Sequence, residues 1–211
     1  MKNFLAAIIL GIASQFAHAE LVSMDYAAAG DGLVTRDTAS GLEWLDWSAT
    51  ANYSINQIQA GAGGYLSAFR YATAGELAQL LSNAGIAGGP PLNLFGTSLW
   101  LSANAADVAE FLALFGGSSS CQFLFPAACA LFPSEDGLSG AAAKVIGLGP
   151  FGGLASLHPS LVSLDWHHRG WGHALVRDIP CPPEQVPEPA ALALLAAGLA
   201  ALAAGRRRRR A

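Results

Sequence analysis

Residues 31–47, DGLVTRDTASGLEWLDW, decide the fold. Two short runs, 33–37 and 42–46, flank Ala39-Ser40-Gly41, and this punctuation predicts two strands joined by a tight turn. Leu42 and Trp44 are two residues apart, so both point to the inner face of the second strand. Downstream, FRYATAGELAQLLSNAG (residues 69–85) carries a helix start. Thr73 and Glu76 form a capping box, Leu77, Leu80 and Leu81 make an apolar stripe, and Gly85 ends the helix. A second helix is expected over 105–115, capped by Asn104 and closed by Gly116, with Val108, Phe111, Leu112 and Phe115 facing inward.

Between and after these helices the chain reads as loop-rich, with 116–140 expected to be one long loop. Strand-like stretches return at 144–147, 161–165 and 173–178. The order of hairpin, helices and strands predicts a single α+β ectodomain of antiparallel strands and two helices, whose first and last strands pair.

The two ends of the chain are of another kind. Lys2 precedes an apolar run over 4–13, and Ala17-His18-Ala19 is a small-x-small cleavage site, so residues 1–19 read as a signal peptide handled by signal peptidase. The ectodomain then covers 20–180. Residues 181–189 are a Pro-rich spacer ending in Val186, Pro187, Glu188 and Pro189; prolines on both sides of one acid keep that segment extended. Residues 190–205 lack any polar side chain and are expected to form a transmembrane helix of roughly 24 Å at about 1.5 Å per residue. That is short of a ~30 Å hydrocarbon core. Local thinning and the long side chains of Arg206, Arg207, Arg208, Arg209 and Arg210 make up the difference, and the arginines hold the 206–211 tail on the cytoplasmic side.

A V-P-E-P knot, an apolar span and a terminal arginine cluster, in that order, resemble the PEP-CTERM sorting signal. The resemblance implies processing by exosortase, a membrane-embedded cysteine transpeptidase, with Pro187, Glu188 and Pro189 as the recognition element and the tail as a temporary anchor. It further implies export, a transient stay in the inner membrane facing the periplasm, and then the cell surface, extracellular space or biofilm matrix.

Removing the targeting segments changes the charge. Residues 20–185 hold five basic side chains against fourteen acidic ones, a net −9 where the whole chain has −4. Such a surface argues against nucleic acid and anionic lipid as partners of this domain, and it is compatible with neutral glycans, with cations, or simply with staying soluble outside the cell. Three cysteines enter an oxidising compartment: Cys121, Cys129 and Cys181. Three single pairings are possible, and Cys121 with Cys129 closes the shortest loop; the alternative ties Cys181 back to it.

A second resemblance lies in GLEWLDWSAT, GYLSAFRYATAGELAQLLSNAGI and HALVRDIP. These stretches are similar to bacterial Lcl C-terminal-like domains through Gly41, Leu42, Trp44, Arg70, Thr73, Glu76, Leu77, Val176 and Arg177, with Phe69 where a tryptophan is usual. The resemblance implies a C-type-lectin-like fold serving adhesion. The same residues read equally well as core and cap, with Arg70 or Arg177 paired to an acid such as Asp46.

LDWHHRGWGH (residues 164–173) is the cluster that could carry chemistry. Asp165, His167, His168 and His173 offer metal-ligand types, although no familiar spacing such as H-E-x-x-H is present. Trp166 and Trp171, with His173, offer aromatic faces beside polar donors, which suits a sugar ring and equally a core edge. Residues 147–152 match G-x-G-x-x-G, but no convincing helix follows and Pro150 removes a needed donor. The expectation is a non-enzymatic exported module without cofactor, binding extracellular polysaccharide or other matrix. The other reading is a secreted metal-dependent hydrolase built on the histidine cluster.

Overall fold

The computed structural model describes residues 20–94, 96–117, 121 and 124–179. The signal peptide, the spacer with Cys181, the sorting motif, the apolar span and the arginine cluster lie outside the described residues.

Strands β2 (Val34–Asp37) and β3 (Leu42–Leu45) form the hairpin, with Asp37 opposite Leu42 and Arg36 opposite Glu43. Its turn is locked from inside. The buried Asp37 carboxylate accepts from the Ala39 and Ser40 amides, the Ser40 hydroxyl and the Asn83 amide, while Gly41 takes φ 71°, a left-handed conformation suited to glycine. Strand β1 (Leu21–Met24), which the sequence reading missed, pairs along β2. The last strand among the described residues, Leu175–Asp178, runs antiparallel to β3. So the chain's end joins the second strand of the hairpin, not its first.

Helix α1 (Ile55–Gln59) is a short helix the sequence reading passed over, although Ser54 and Gln57 are a full capping box. Strand β4 (Arg70–Tyr71) follows, then helix α2 (Ala74–Asn83). The Thr73 hydroxyl accepts from the Glu76 amide and the Glu76 carboxylate accepts from the Thr73 amide, and Leu77, Leu80 and Leu81 are fully buried. Arg70 pairs with Glu76 at 2.6 Å, and Arg177 with Glu43 at 2.7 Å; neither uses Asp46, contrary to expectation. Arg70's hydrogen bonds are the main reason the Glu76 carboxyl is held down at about 2. Thr73→Ala should therefore cost about 1 kcal/mol in chemical denaturation. Glu76→Gln should be milder, because glutamine still reaches the Thr73 amide and an exposed ion pair adds little. Unchanged stability in Thr73→Ala would show that the cap is idle.

Strands β5 (Leu92–Leu94) and β6 (Thr97–Ser102) come before helix α3 (Ala105–Leu114), whose start is capped by Asn104 and whose end meets Gly116 at φ 76°. The predicted long loop over 116–140 is a correction: it contains strand β7 (Ala127–Pro133). Strand β8 (Gly140–Gly147) begins earlier than expected. Strand β9 (Gly153–Val162) replaces the strand expected at 161–165, where Leu164 and Asp165 instead form a turn. Strand β10 (Gly172–His173) pairs in parallel with β7, and β11 is the Leu175–Asp178 strand already described.

The result is α+β with two sheets, ordered β1-β2-β3-β11-β4 and β10-β7-β8-β9-β6-β5. One cluster joins them. It combines Trp44 and Trp47, the helix residues Leu77, Leu80, Phe111 and Phe115, and the small inner face of the second sheet, including Ala128, Ala130, Ala143 and Ala155. Phe111 and Phe115 stack at 4.4 Å, and Trp47 meets Phe111 edge-on at 5.4 Å. Alanine on the strands lets these large side chains approach the sheet. All members of the three hydrophobic clusters lie between Leu21 and Val176, so this segment carries its own core. Among the described residues, no helix is long and apolar enough to cross a membrane.

Candidate functional site

The segment after β9 lies on the opposite face of the second sheet and owes its shape to local hydrogen bonds. Ser163 opens a turn by accepting from the Asp165 amide through its hydroxyl and from the Trp166 amide through its carbonyl. Helix α1 fastens this turn: the Asn56 amide donates to the Leu164 carbonyl, and the Asn56 side chain donates to Asp165 at 2.6 Å. The next turn closes when the Trp171 amide donates to the His168 carbonyl and the Gly170 amide to His168 Nδ1. His167 and His168 are thus in an irregular, exposed stretch.

Trp171 anchors the segment. It is 8 % exposed and packs with Ile55, Cys129, Leu131 and Ala142. Trp166 stands edge-on to it at 5.5 Å and is only partly buried; its indole lies parallel to the His168 ring, 6.1 Å away at 10°. Lys144 Nζ is 5.3 Å from the Trp171 ring centre. Cys121 and Cys129 form a disulfide, with Cys129 directly opposite Lys144 on the neighbouring strand. Beside this group is a concavity of about 260 Å³, whose lining includes Trp47, Ser48, Phe115, Cys129, Arg169 and Gly170.

Gly172 is where this segment passes closest to the rest of the molecule. A Cβ there would stand 1.5 Å from the Trp47 carbonyl oxygen, so no other residue fits without moving the backbone. That approach carries His173 into the interior. Its amide donates to Thr50 Oγ1 at 2.7 Å, its Nε2 lies 3.0 Å from the Tyr53 carbonyl and its Nδ1 2.8 Å from the Tyr71 hydroxyl. A carbonyl can only accept, so Nε2 carries the proton and Nδ1 accepts from Tyr71. Burial pulls the imidazole pKa down to about 4, against the weaker opposing effect of the Tyr53 bond. With both nitrogens engaged and no exposed surface, His173 leaves the set of ligand-facing residues.

The proposed metal cluster therefore does not assemble. Asp165 is held by Asn56, His173 points into the core, and among the described residues no group of three or more His, Cys, Asp or Glu side chains is arranged to hold a metal ion. Two polar arrangements escaped the sequence reading. Glu43, 3 % exposed, receives Arg36 at 2.5 Å and Arg177 at 2.7 Å; burial alone would raise its pKa, but the two guanidinium groups outweigh it and the carboxyl is held below its usual range. The second is a ladder of Thr97, His158 and Ser156, with hydrogen bonds of 3.0 and 3.2 Å. The spacing Ser156-Leu157-His158 was visible as two polar residues on one strand face. Ser156 is 3 % exposed and the imidazole is oriented by a hydroxyl, not a carboxylate, so this ladder does not present an activated nucleophile.

The residues of the second resemblance gather in one place. Val176 on β11 stands opposite Trp44 on one side and Arg70 on the other, and Arg177 stands opposite Glu43. They form the frame of the first sheet.

Outside the described residues, 185–210 match the PEP-CTERM protein-sorting motif. No curated protein and no solved structure matches the chain. The motif marks an exported protein that is anchored transiently in the membrane and processed by exosortase.

Proposed function

We propose that this exosortase-sorted protein is a non-enzymatic adhesion module of the cell surface or extracellular matrix, and that its ectodomain binds glycan. The observation that carries the reading is the partly exposed Trp166 indole, held against Trp171 by a hydrogen-bonded loop and flanked by the His168 ring. Sugars stack their apolar C–H faces on such rings, and the neighbouring imidazole supplies polar contacts. A platform fixed before binding loses little conformational entropy when a ligand arrives. The lectin-like architecture belongs to the same proposal, supported by the way the resembling residues meet around β11.

The hydrolase reading has weaker support, because its four candidate side chains point to different surroundings. A glycan array probed with the 20–185 ectodomain tests the proposal. Binding is expected, and Trp166→Ala should weaken it about tenfold, since loss of one stacked aromatic is worth about 1–1.5 kcal/mol. Trp166 is not in the main core, so the melting temperature should change little. An ectodomain that binds no glycan, or a Trp166→Ala variant that binds as well as the parent, overturns the reading.

A further inference from the structure

The distribution of positive charge adds a second clue about the ligand. Five cations fall within the described residues: Arg36, Arg70, Lys144, Arg169 and Arg177. Three of them are answered by carboxylates, Arg36 and Arg177 by Glu43, and Arg70 by Glu76. Among the described residues the two without an acidic partner are Lys144 and Arg169. One adjoins the tryptophan pair in space, and the other lies on the loop between its two members. Lys144 stands over the Trp171 ring, and Arg169 is exposed between His168 and Gly170 on the loop that carries Trp166. Cys129 connects them, being opposite Lys144 in the sheet and lining the same concavity as Arg169.

A domain of net charge −9 repels anions over most of its surface, so two cations without an acidic partner among the described residues, one over the Trp171 ring and one exposed on the loop between Trp166 and Trp171, form a local exception. Lys144 is also partly buried, where an ammonium without a counter-charge is poorly solvated, and burial already lowers its pKa. An incoming carboxylate would relieve that condition. Asp165, the nearest acid along the loop, accepts from the Asn56 side chain and forms no ion pair with either cation among the described residues.

We infer that the Trp166 platform takes an acidic polysaccharide, a polyuronate, whose sugar ring stacks on the indole and whose carboxylates are answered by Lys144 and Arg169. This inference rests on the glycan-binding reading above and narrows it to a charge class. The charged contacts select among glycans, and the indole supplies affinity common to all of them.

The test compares alginate, neutral dextran and double-stranded DNA on the 20–185 ectodomain, which carries its own core and lacks Arg206 to Arg210, a cluster that would attract any polyanion. At low salt, alginate should bind about tenfold more tightly than dextran, and the difference should shrink as salt rises. Arg169→Gln and Lys144→Gln should each weaken alginate binding about two- to fivefold, the range for single exposed ion pairs, and leave dextran binding unchanged. Trp166→Ala should weaken both. If Lys144→Gln disturbs the packing over Trp171, Arg169→Gln alone decides, because Arg169 is exposed. Equal binding of alginate and dextran, with silent cation variants, overturns the acidic-sugar inference and leaves the glycan reading standing. Binding of neither polymer removes both. DNA competing as strongly as alginate at equal charge concentration also overturns the inference, by showing unselective attraction to polyanions.

Discussion

With Pro187, Glu188 and Pro189 all replaced by alanine, the protein is expected to remain full length at the membrane while the parent is trimmed. The substitution leaves the apolar residues 190–205 and the five arginines untouched, so insertion and orientation should be preserved. What changes is the conformation and chemistry of the segment just outside the bilayer. Proline disfavours helix and restricts the backbone on either side of Glu188, whereas alanine is a strong helix former, so the substitution removes both the restriction and the acid. Recognition should then be lost almost completely, because no other part of the tail is as specific as this knot. Fractionation followed by blotting with an antibody to the ectodomain reads the outcome. A triple variant trimmed like the parent would mean that span hydrophobicity alone governs processing.

How much of the ectodomain could be read beforehand depended on how local the signals were. The β2–β3 hairpin, helix α2 and helix α3 each carry their instructions within a few residues: Asp37 and Gly41 at the turn, Thr73 with Glu76 and then Gly85, Asn104 and then Gly116. Strand β7, the first half of β8 and most of β9 carry none. Both faces of β7 are buried, so AACALFP shows no alternation, and its alanines have little β-propensity. Pro159 sits inside the strand over residues 153–162, a position where proline is ordinarily excluded. It lies between the pairs Ala142–His158 and Gly140–Val162, where the register shifts, so its missing amide is not needed by the ladder. At the candidate site the residue types were legible and their directions were not. His173 and Trp166 look equivalent in the sequence, yet the close approach at Gly172 sends one into the core, and the Ser163 turn leaves the other at the surface. Only the tail kept its functional meaning without a fold around it, because its motif is a continuous stretch of sequence.

His173 leads to the second large effect, a loss of stability on mild acidification. In the unfolded chain its imidazole titrates near the ordinary value of 6.5, and in the folded protein burial has lowered this to about 4. The folded state favours the neutral ring, so between these values the unfolded chain binds more protons and stability falls as pH falls. The contribution is complete above about 6.5, declines through the window and levels off below about 4. A difference of that size corresponds to about 3 kcal/mol, and the ring has no exposed surface to soften it. Glu76, held at about 2, acts in a lower window and loses its contribution as pH falls through and below the ordinary carboxyl range, whereas Asp46, whose carboxyl is raised by burial, acts in the opposite sense and gains stability as pH falls toward its ordinary value. His158 has a lowered pKa from burial and from Lys144, and so adds to the same window as His173. A His173→Gln variant keeps His158 and separates the two. Glutamine can still donate to the Tyr53 carbonyl but does not titrate, so it should be less stable than the parent at pH 7, by about 1–2 kcal/mol for the weakened Tyr71 contact. Its stability should fall less steeply than the parent's from pH 6.5 to 4, the remaining slope being that of His158, and the two proteins should converge or cross on acidification. Urea denaturation at a series of pH values measures both curves. Parallel slopes would mean that the buried ring binds its proton as easily folded as unfolded, and the hydrogen bonds to Tyr53 and Tyr71 would then have to rearrange to accept the charged form.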